Sequence, residues 1–187
     1  MPFIESKGER MANNENHNKI MIQPIESNMK AAVGTLLHAA FSGTKHGYDG
    51  EAELVDALRK STEQKIELVA LDAYHAVVGE AFLTQSQVAD KVGYVLAPLA
   101  VMPTLQRQGI GGRLIEQAEA WTAQNDGDYI SILGDPNYYG RFGYKRASQL
   151  GVLPPAEIPD EYFLMKKMNG DLQLEGTLKY APEFGIN

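Results

Sequence analysis

Between Val92 and Leu114 the chain reads VGYVLAPLAVMPTLQRQGIGGRL, and the residues suited to chemistry are the run Gln106-Arg107-Gln108-Gly109-Ile110-Gly111-Gly112. An apolar strand ending at Val101 and a turn at Pro103 precede it. An amphipathic helix follows, predicted from about Gly109 to Gln124, with Ile110, Leu114, Ala118 and Trp121 as its stripe. The first turn of a helix offers N–H groups without partners and the positive end of the macrodipole. Glycine there removes the Cβ that would hold a bulky anion off the backbone. Together these features make a cradle for a diphosphate. Local charge agrees: residues 91–115 hold three cations (Lys91, Arg107 and Arg113) and no Asp or Glu, although the whole chain carries a net charge of −7. An exposed anion–dipole contact contributes only ~0.3–1 kcal/mol, so several amides and Arg107 must act together. The rival role is a Gly-rich helix start that merely makes a tight turn.

Two other phosphate motifs fail. The Gly-x-x-x-x-Gly-Lys-Ser/Thr loop is absent. The dinucleotide pattern Gly-x-Gly-x-x-Gly has Leu114 at its third position. Asp135 falls about where a ribose-binding acid would, but the turn from Val101 to Gly109 is too long for that motif. The chain also lacks room for the usual doubly wound sheet.

Val101-Met102-Pro103 followed by Gln106-x-x-Gly109-x-Gly111 resembles the acyl-CoA-binding signature of the GNAT superfamily of N-acetyltransferases. The stretch Gly-Asp-Pro-x-Tyr-Tyr-x-Arg-Phe-Gly-Tyr at residues 134–144, with Tyr180-Ala181-Pro182-Glu183-Phe184, is similar to a bacterial branch of predicted acetyltransferases. The resemblance implies acetyl-CoA as co-substrate, with the N–H groups of Arg107, Gln108, Gly109, Ile110, Gly111 and Gly112 on the CoA diphosphate. Gln106 belongs to the same signature. The resemblance also implies that the strand ending at Val101 pairs with the pantetheine arm like an added strand, in a splayed gap between it and Tyr129–Leu133. Pro98 fits an irregular strand position independently, since it cannot donate to a neighbour. The N–H of Leu99 or Ala100 is then free to face the thioester oxygen, a donation that typically supplies ~2.7–4 kcal/mol to a transition state. Asn137 is expected either to touch the pantetheine or to cap a helix.

Tyr139 is the expected general acid, because a phenol near the sulfur can protonate a departing thiolate. In the superfamily a Tyr four residues before the Gly of a Gly-aromatic pair fills this role, and Tyr139 has that relation to Gly143-Tyr144. Tyr138 is its rival for the position facing the sulfur, and both are alternatively packing aromatics. An amine acceptor must lose a proton, at a cost of about 4–5 kcal/mol at neutral pH. Glu80, mid-strand among apolar residues, is the candidate base, directly or through water; otherwise it is an outward-facing strand residue. His38, His46 and His75 are scattered without metal-ligand spacing, so no metal is expected. Tyr48, Asp49 and Glu51 give the loop that shapes the acceptor pocket in relatives an acidic character, which hints at a cationic acceptor.

These residues need a scaffold. A strand at Lys19–Gln23 stopped by Pro24, a helix from Met29 capped by Ser27 or Asn28, and a second helix at about Glu51–Arg59 come first. Strands at Ile66–Asp72, Ala76–Thr84 and Val92–Val101 follow, joined by short connections that include Gln85–Lys91, as in an antiparallel meander. After the signature helix come a strand at Tyr129–Leu133, a short helical segment at Pro136–Phe142 and extended chain from Tyr144. A strand at Tyr162–Lys166 and alternation over Leu172–Tyr180 complete the pattern. The expected fold is α+β: a mixed, mostly antiparallel central sheet flanked by helices and splayed between its fourth and fifth strands. Residues 1–18 are expected to be a disordered leader, and 19–187 a single acyl-CoA-binding domain.

Composition narrows the function. The chain has 187 residues, 44% hydrophobic and 22% charged, with 17 Lys+Arg against 24 Asp+Glu. Its acidity argues against general nucleic-acid binding, which rests on phosphate neutralisation. The absence of Cys removes thiolate nucleophiles and a thioester link to the enzyme. No stretch suits a membrane span or an export signal, so a cytoplasmic location is expected. The expected function is direct acetyl transfer from acetyl-CoA to a primary amine of a small molecule or peptide. A non-catalytic acyl-CoA-binding or sensor module on the same fold is the alternative. C-terminal strands build dimers in some relatives, which leaves a homodimer open.

Overall fold

Strands in the middle of the chain read as nearly continuous apolar runs because helices cover both faces of the sheet they form. The structure, a computed structural model, describes residues 19–186; the expected leader lies outside them. In chain order the elements are β1 (Met21–Pro24), α1 (Lys30–Ser42), α2 (Glu51–Leu58), β2 (Lys65–Leu71), β3 (Val77–Val88) and β4 (Lys91–Val101). Then come α3 (Ile110–Gln124), β5 (Tyr129–Leu133), α4 (Pro136–Tyr139), β6 (Lys145–Arg146), β7 (Val152–Leu153), β8 (Phe163–Lys167) and β9 (Gly176–Lys179). The sheet order is β1-β2-β3-β4-β5-β8-β6, and β9 joins the far end of β3 and β7. Neighbours along the main path are antiparallel except β4 and β5, so the expected mixed sheet is the observed one.

The β4–β5 pair positions the site. Only Tyr94↔Ile130 and Val95↔Ser131 are in register, although β4 runs on to Val101 and β5 to Leu133. Beyond those two pairs the strands part. On its other edge β4 carries a bulge: Leu83 faces Leu96 and Ala81 faces Leu99, so Ala97-Pro98 is the irregular stretch. Pro98 sits where a missing donor is tolerated.

One face of the sheet packs α3, whose Ile110, Leu114, Ile115 and Ala118 meet Ala81, Leu83, Leu96 and Ile130. The other face packs Val33, Leu36 and Leu37 of α1 and Val55 and Leu58 of α2 over Val69, Phe82 and Ala100. The remainder of that layer is closed by Leu174, Leu178 and Tyr180 against Val95, Tyr129 and Phe163. The alternation read over Leu172–Tyr180 is kept in burial, though only Gly176–Lys179 is laddered.

Local differences from expectation have physical causes. Neither Ser27 nor Asn28 caps α1; a 3-10 turn at Ser27–Met29 leads into it, and the Met29 N–H donates to the Glu26 carbonyl at 2.9 Å. That bond satisfies a donor which a side-chain cap would otherwise take. Pro24 lies within β1, opposite Leu68, where an edge strand tolerates it. Gln85–Val88 is strand rather than connection, because the β3–β4 ladder continues to Val88↔Lys91, and β9 pairs with Gln87 and Val88 on the other edge, where Val88 is buried. The hairpin tip shrinks to Ala89-Asp90. After Arg146 the extended chain gives way to a 3-10 turn at Ala147–Leu150. No helix among the described residues is long and apolar enough to cross a membrane.

Candidate active site

Successive strand residues turn their N–H groups to opposite edges. The Met102 N–H donates to the Val78 carbonyl at 2.9 Å, so Ala100 also turns toward β3, while Leu99 and Val101 turn theirs into the gap beside β5. Of the two expected donors, Leu99 is therefore the one aimed at the gap. Gln106 folds back, its Nε2 donating to the Val101 carbonyl at 3.1 Å, and ties the loop to the strand end.

Arg107 (φ 62°) and Gly109 (φ 86°) then turn the chain through left-handed conformations into α3. The first helical bond runs from the Arg113 N–H to the Gly109 carbonyl at 3.1 Å. The six N–H groups from Arg107 to Gly112 have no acceptor among the described residues. This edge borders a cleft of about 920 Å³ whose near wall includes Leu99, Val101, Gln106, Arg107 and Gly109 through Gly112. The far wall is Tyr138, Tyr139, Arg141 and Phe142.

Gly111 and Gly112 have a second task. A Cβ at Gly111 would lie 2.5 Å from the Tyr138 hydroxyl, and one at Gly112 would lie 3.2 Å from the Phe142 ring. These glycines let the far wall approach the helix start while leaving the amide edge open. Tyr139 lies across Gly134, the residue after β5, whose added Cβ would overlap the ring. Its ring meets Tyr138 edge-on at 4.9 Å and Tyr144 at 6.0 Å. Tyr139 thus stands at the β5 side of the gap and Tyr138 at the helix side. Burial, reinforced by Tyr138, pushes the Tyr139 pKa up, so the phenol keeps its proton. The Tyr139 hydroxyl has no hydrogen-bond partner among the described residues.

Gln108 and Asn137, both expected to bind the cofactor, do not line the cleft. The cap of α4 is Asp135, whose carboxylate accepts the Asn137 N–H at 2.8 Å. This accounts for Asp135 without a ribose and replaces Asn137 in the capping role. Lys91 is also away from the cleft, paired with Asp90 at 3.1 Å at the start of β4. The cations on the cleft are Arg107, Arg113 and Arg141, with Glu116 opposing them. Arg141 was missed in sequence; its signal was its place in Tyr-x-Arg-Phe-Gly.

Glu80 alternates with Phe82 on β3 and lies opposite Val69 and Ala100, on the face covered by α1 and α2. It is fully buried rather than outward-facing, and neither carboxylate oxygen has a hydrogen-bond partner among the described residues. Desolvation, then repulsion from Glu67, holds its pKa well above the usual carboxylate range; Arg59 pulls the other way. Arg59 itself is occupied by Glu67, at 2.6 and 2.8 Å. Glu80 does not border the cleft, but β3 is the strand beside β4, and its register partner Ala100 adjoins Leu99. In the loop before α2, Tyr48 donates to Glu53 and stacks on His38 at 3.9 Å, while Glu51 accepts the Asp49 N–H at 2.9 Å. These local bonds occupy part of the acidic character read from the loop.

A sheet parted beside an amide-lined helix start defines a narrow class of proteins, and comparison with known proteins agrees. A family model described as "Acetyltransferase (GNAT) domain" matches residues 63–146. The "Uncharacterized N-acetyltransferase YjhQ" of Escherichia coli strain K12 is 31% identical over 145 residues, covering 72% of this chain and 80% of that protein. A GNAT family acetyltransferase from Brucella melitensis, solved in complex with acetyl-CoA, superposes with TM-score 0.74 at 29% identity, over 90% of this chain and 99% of that one. The Escherichia coli protein YhbS, solved in complex with CoA, has TM-score 0.82 at 23% identity over 89% and 92%, and bears on the fold alone. The chain belongs to the GNAT family of N-acetyltransferases and is an acyltransferase.

Proposed function

We propose that the chain transfers an acetyl group from acetyl-CoA directly to a primary amine of a small molecule or peptide, in a ternary complex. The observation that carries this is the unbroken run of unpartnered amides at the start of α3, facing a cleft that leads to the parted β4 and β5. The solved acetyl-CoA complex of the Brucella melitensis relative supports the same co-substrate. Acetyl-CoA, when bound, supplies an acyl group activated as a thioester.

The amides of Arg107 to Gly112 and the guanidinium of Arg107 bind the diphosphate. The edge of β4 at Leu99 and Val101 holds the pantetheine arm, and the Leu99 N–H donates to the acyl oxygen as negative charge grows there. Tyr139 gives its proton to the departing sulfur. Glu80, in its ionised form, takes up the amine proton through water from the α1 and α2 face, since it does not border the cleft; its raised pKa makes this step favour higher pH. The lack of Cys favours direct attack over a thioester link to the enzyme.

A thiol-release assay with acetyl-CoA against a panel of small amines and peptides tests the reading. Amine-dependent release is the expected result. Acetyl-CoA binding without release for any amine would replace it with the sensor alternative.

A further inference from the structure

We infer that Arg141 binds the ribose phosphate monoester of CoA, a second anion site beside the diphosphate cradle; this rests on the acyl-CoA reading above. The side chain is held in place before any ligand arrives. Its guanidinium lies 4.7 Å from the Tyr138 ring centre and 5.6 Å from that of Phe142. Its Nε donates to the Tyr138 carbonyl at 3.2 Å. The two terminal NH2 groups have no acceptor, and no carboxylate pairs with the residue, among the described residues. Stacking on aromatic faces with the terminal fork left open is an arrangement suited to two-pronged recognition of a phosphate.

Position separates this fork from the cradle. Tyr138 and Phe142 abut Gly111 and Gly112, and Arg141 lies on the faces of those same rings. The guanidinium therefore belongs to the far wall with Tyr138 and Phe142, and not to the amide loop. Charge points the same way. Three guanidinium groups and one carboxylate line the cleft, an excess of two positive charges. Arg113 already donates to the Ile20 carbonyl at 2.9 Å, and Arg107 stands in the cradle loop itself. The diphosphate is met by the amides and Arg107, which leaves Arg141 for another anion. CoA carries one other anionic group, a phosphate monoester on its ribose, with three oxygens to offer a bidentate donor.

The test is titration calorimetry with acetyl-CoA and acetyl-3′-dephospho-CoA, on the unaltered protein and on Arg141→Gln and Arg141→Lys. The unaltered protein is expected to prefer acetyl-CoA by about tenfold, the size of one charge-assisted contact. Arg141→Gln should erase the preference by weakening acetyl-CoA alone, and Arg141→Lys should keep part of it. Equal weakening of both ligands would assign Arg141 to the diphosphate and overturn the proposal, as would no change in either. If neither ligand binds the unaltered protein, the acyl-CoA reading falls as well, an outcome distinct from lost discrimination. Unchanged melting of the ligand-free variants shows that the fold survives, as expected for an exposed side chain.

Discussion

Burial raises the pKa of both Tyr139 and Glu80, because each loses the water that would solvate its charged form. For the phenol this preserves a proton through neutral pH. Tyr139→Phe is expected to cut kcat by about 10²-fold while leaving acetyl-CoA affinity within twofold, in steady-state assay and calorimetry. For the carboxyl, burial has a stability signature. Below the unfolded carboxyl value (~4.3) both states are protonated, and Glu80 costs little. As pH rises, the unfolded chain releases the proton while the native chain still holds it, so native stability falls. Glu80→Gln should therefore melt about 2–4 °C higher at pH 7, the change that ~1 kcal/mol brings in a chain of this size, and show little gain near pH 4. The place of Tyr139 on the cleft was legible in sequence from its spacing to Gly143-Tyr144. The burial of Glu80 was not, since a single Glu among apolar residues suits either face until α1 and α2 are seen to cover one. Arg141 escaped for a related reason: its orientation comes from rings that only the fold brings against α3.

At the scale of elements, the far wall of the cleft depends on α4 packing against the end of β5. Gly134 permits that by leaving room for the Tyr139 ring. Gly134→Ala is expected to cost about 1–3 kcal/mol, as overpacking does. Because the displaced ring is Tyr139, kcat should fall further than acetyl-CoA affinity; denaturant melts and assay on one preparation check both. The elements with strong periodicity, α3 and β5, were placed in sequence almost to the residue. The end of β3 was not, because Gln85–Gln87 is polar and reads as a connection. Its strand character comes from the β4 ladder, which runs from Gln85↔Tyr94 to Val88↔Lys91; β9, about ninety residues later in the chain, adds a second partner at Gln87 and Val88.

For the whole molecule, binding at the cleft is linked to folding. Acetyl-CoA at about 100 times its Kd should add ~2.7 kcal/mol, a rise of about 5–10 °C in melting temperature. NAD and ATP at the same concentration should give no comparable shift, and a thermal melt series checks this. The architecture was legible as an order of elements, and the short β4–β5 seam was anticipated from Pro98 and the family resemblance. That seam also bears on solubility. An unpaired strand edge normally invites other chains to add to it and so to aggregate. Here the open edge of β4 lies inside the molecule, with Gly111 on one wall and Tyr139 on the other. An edge enclosed in this way is not presented to a neighbouring chain as an outer strand would be.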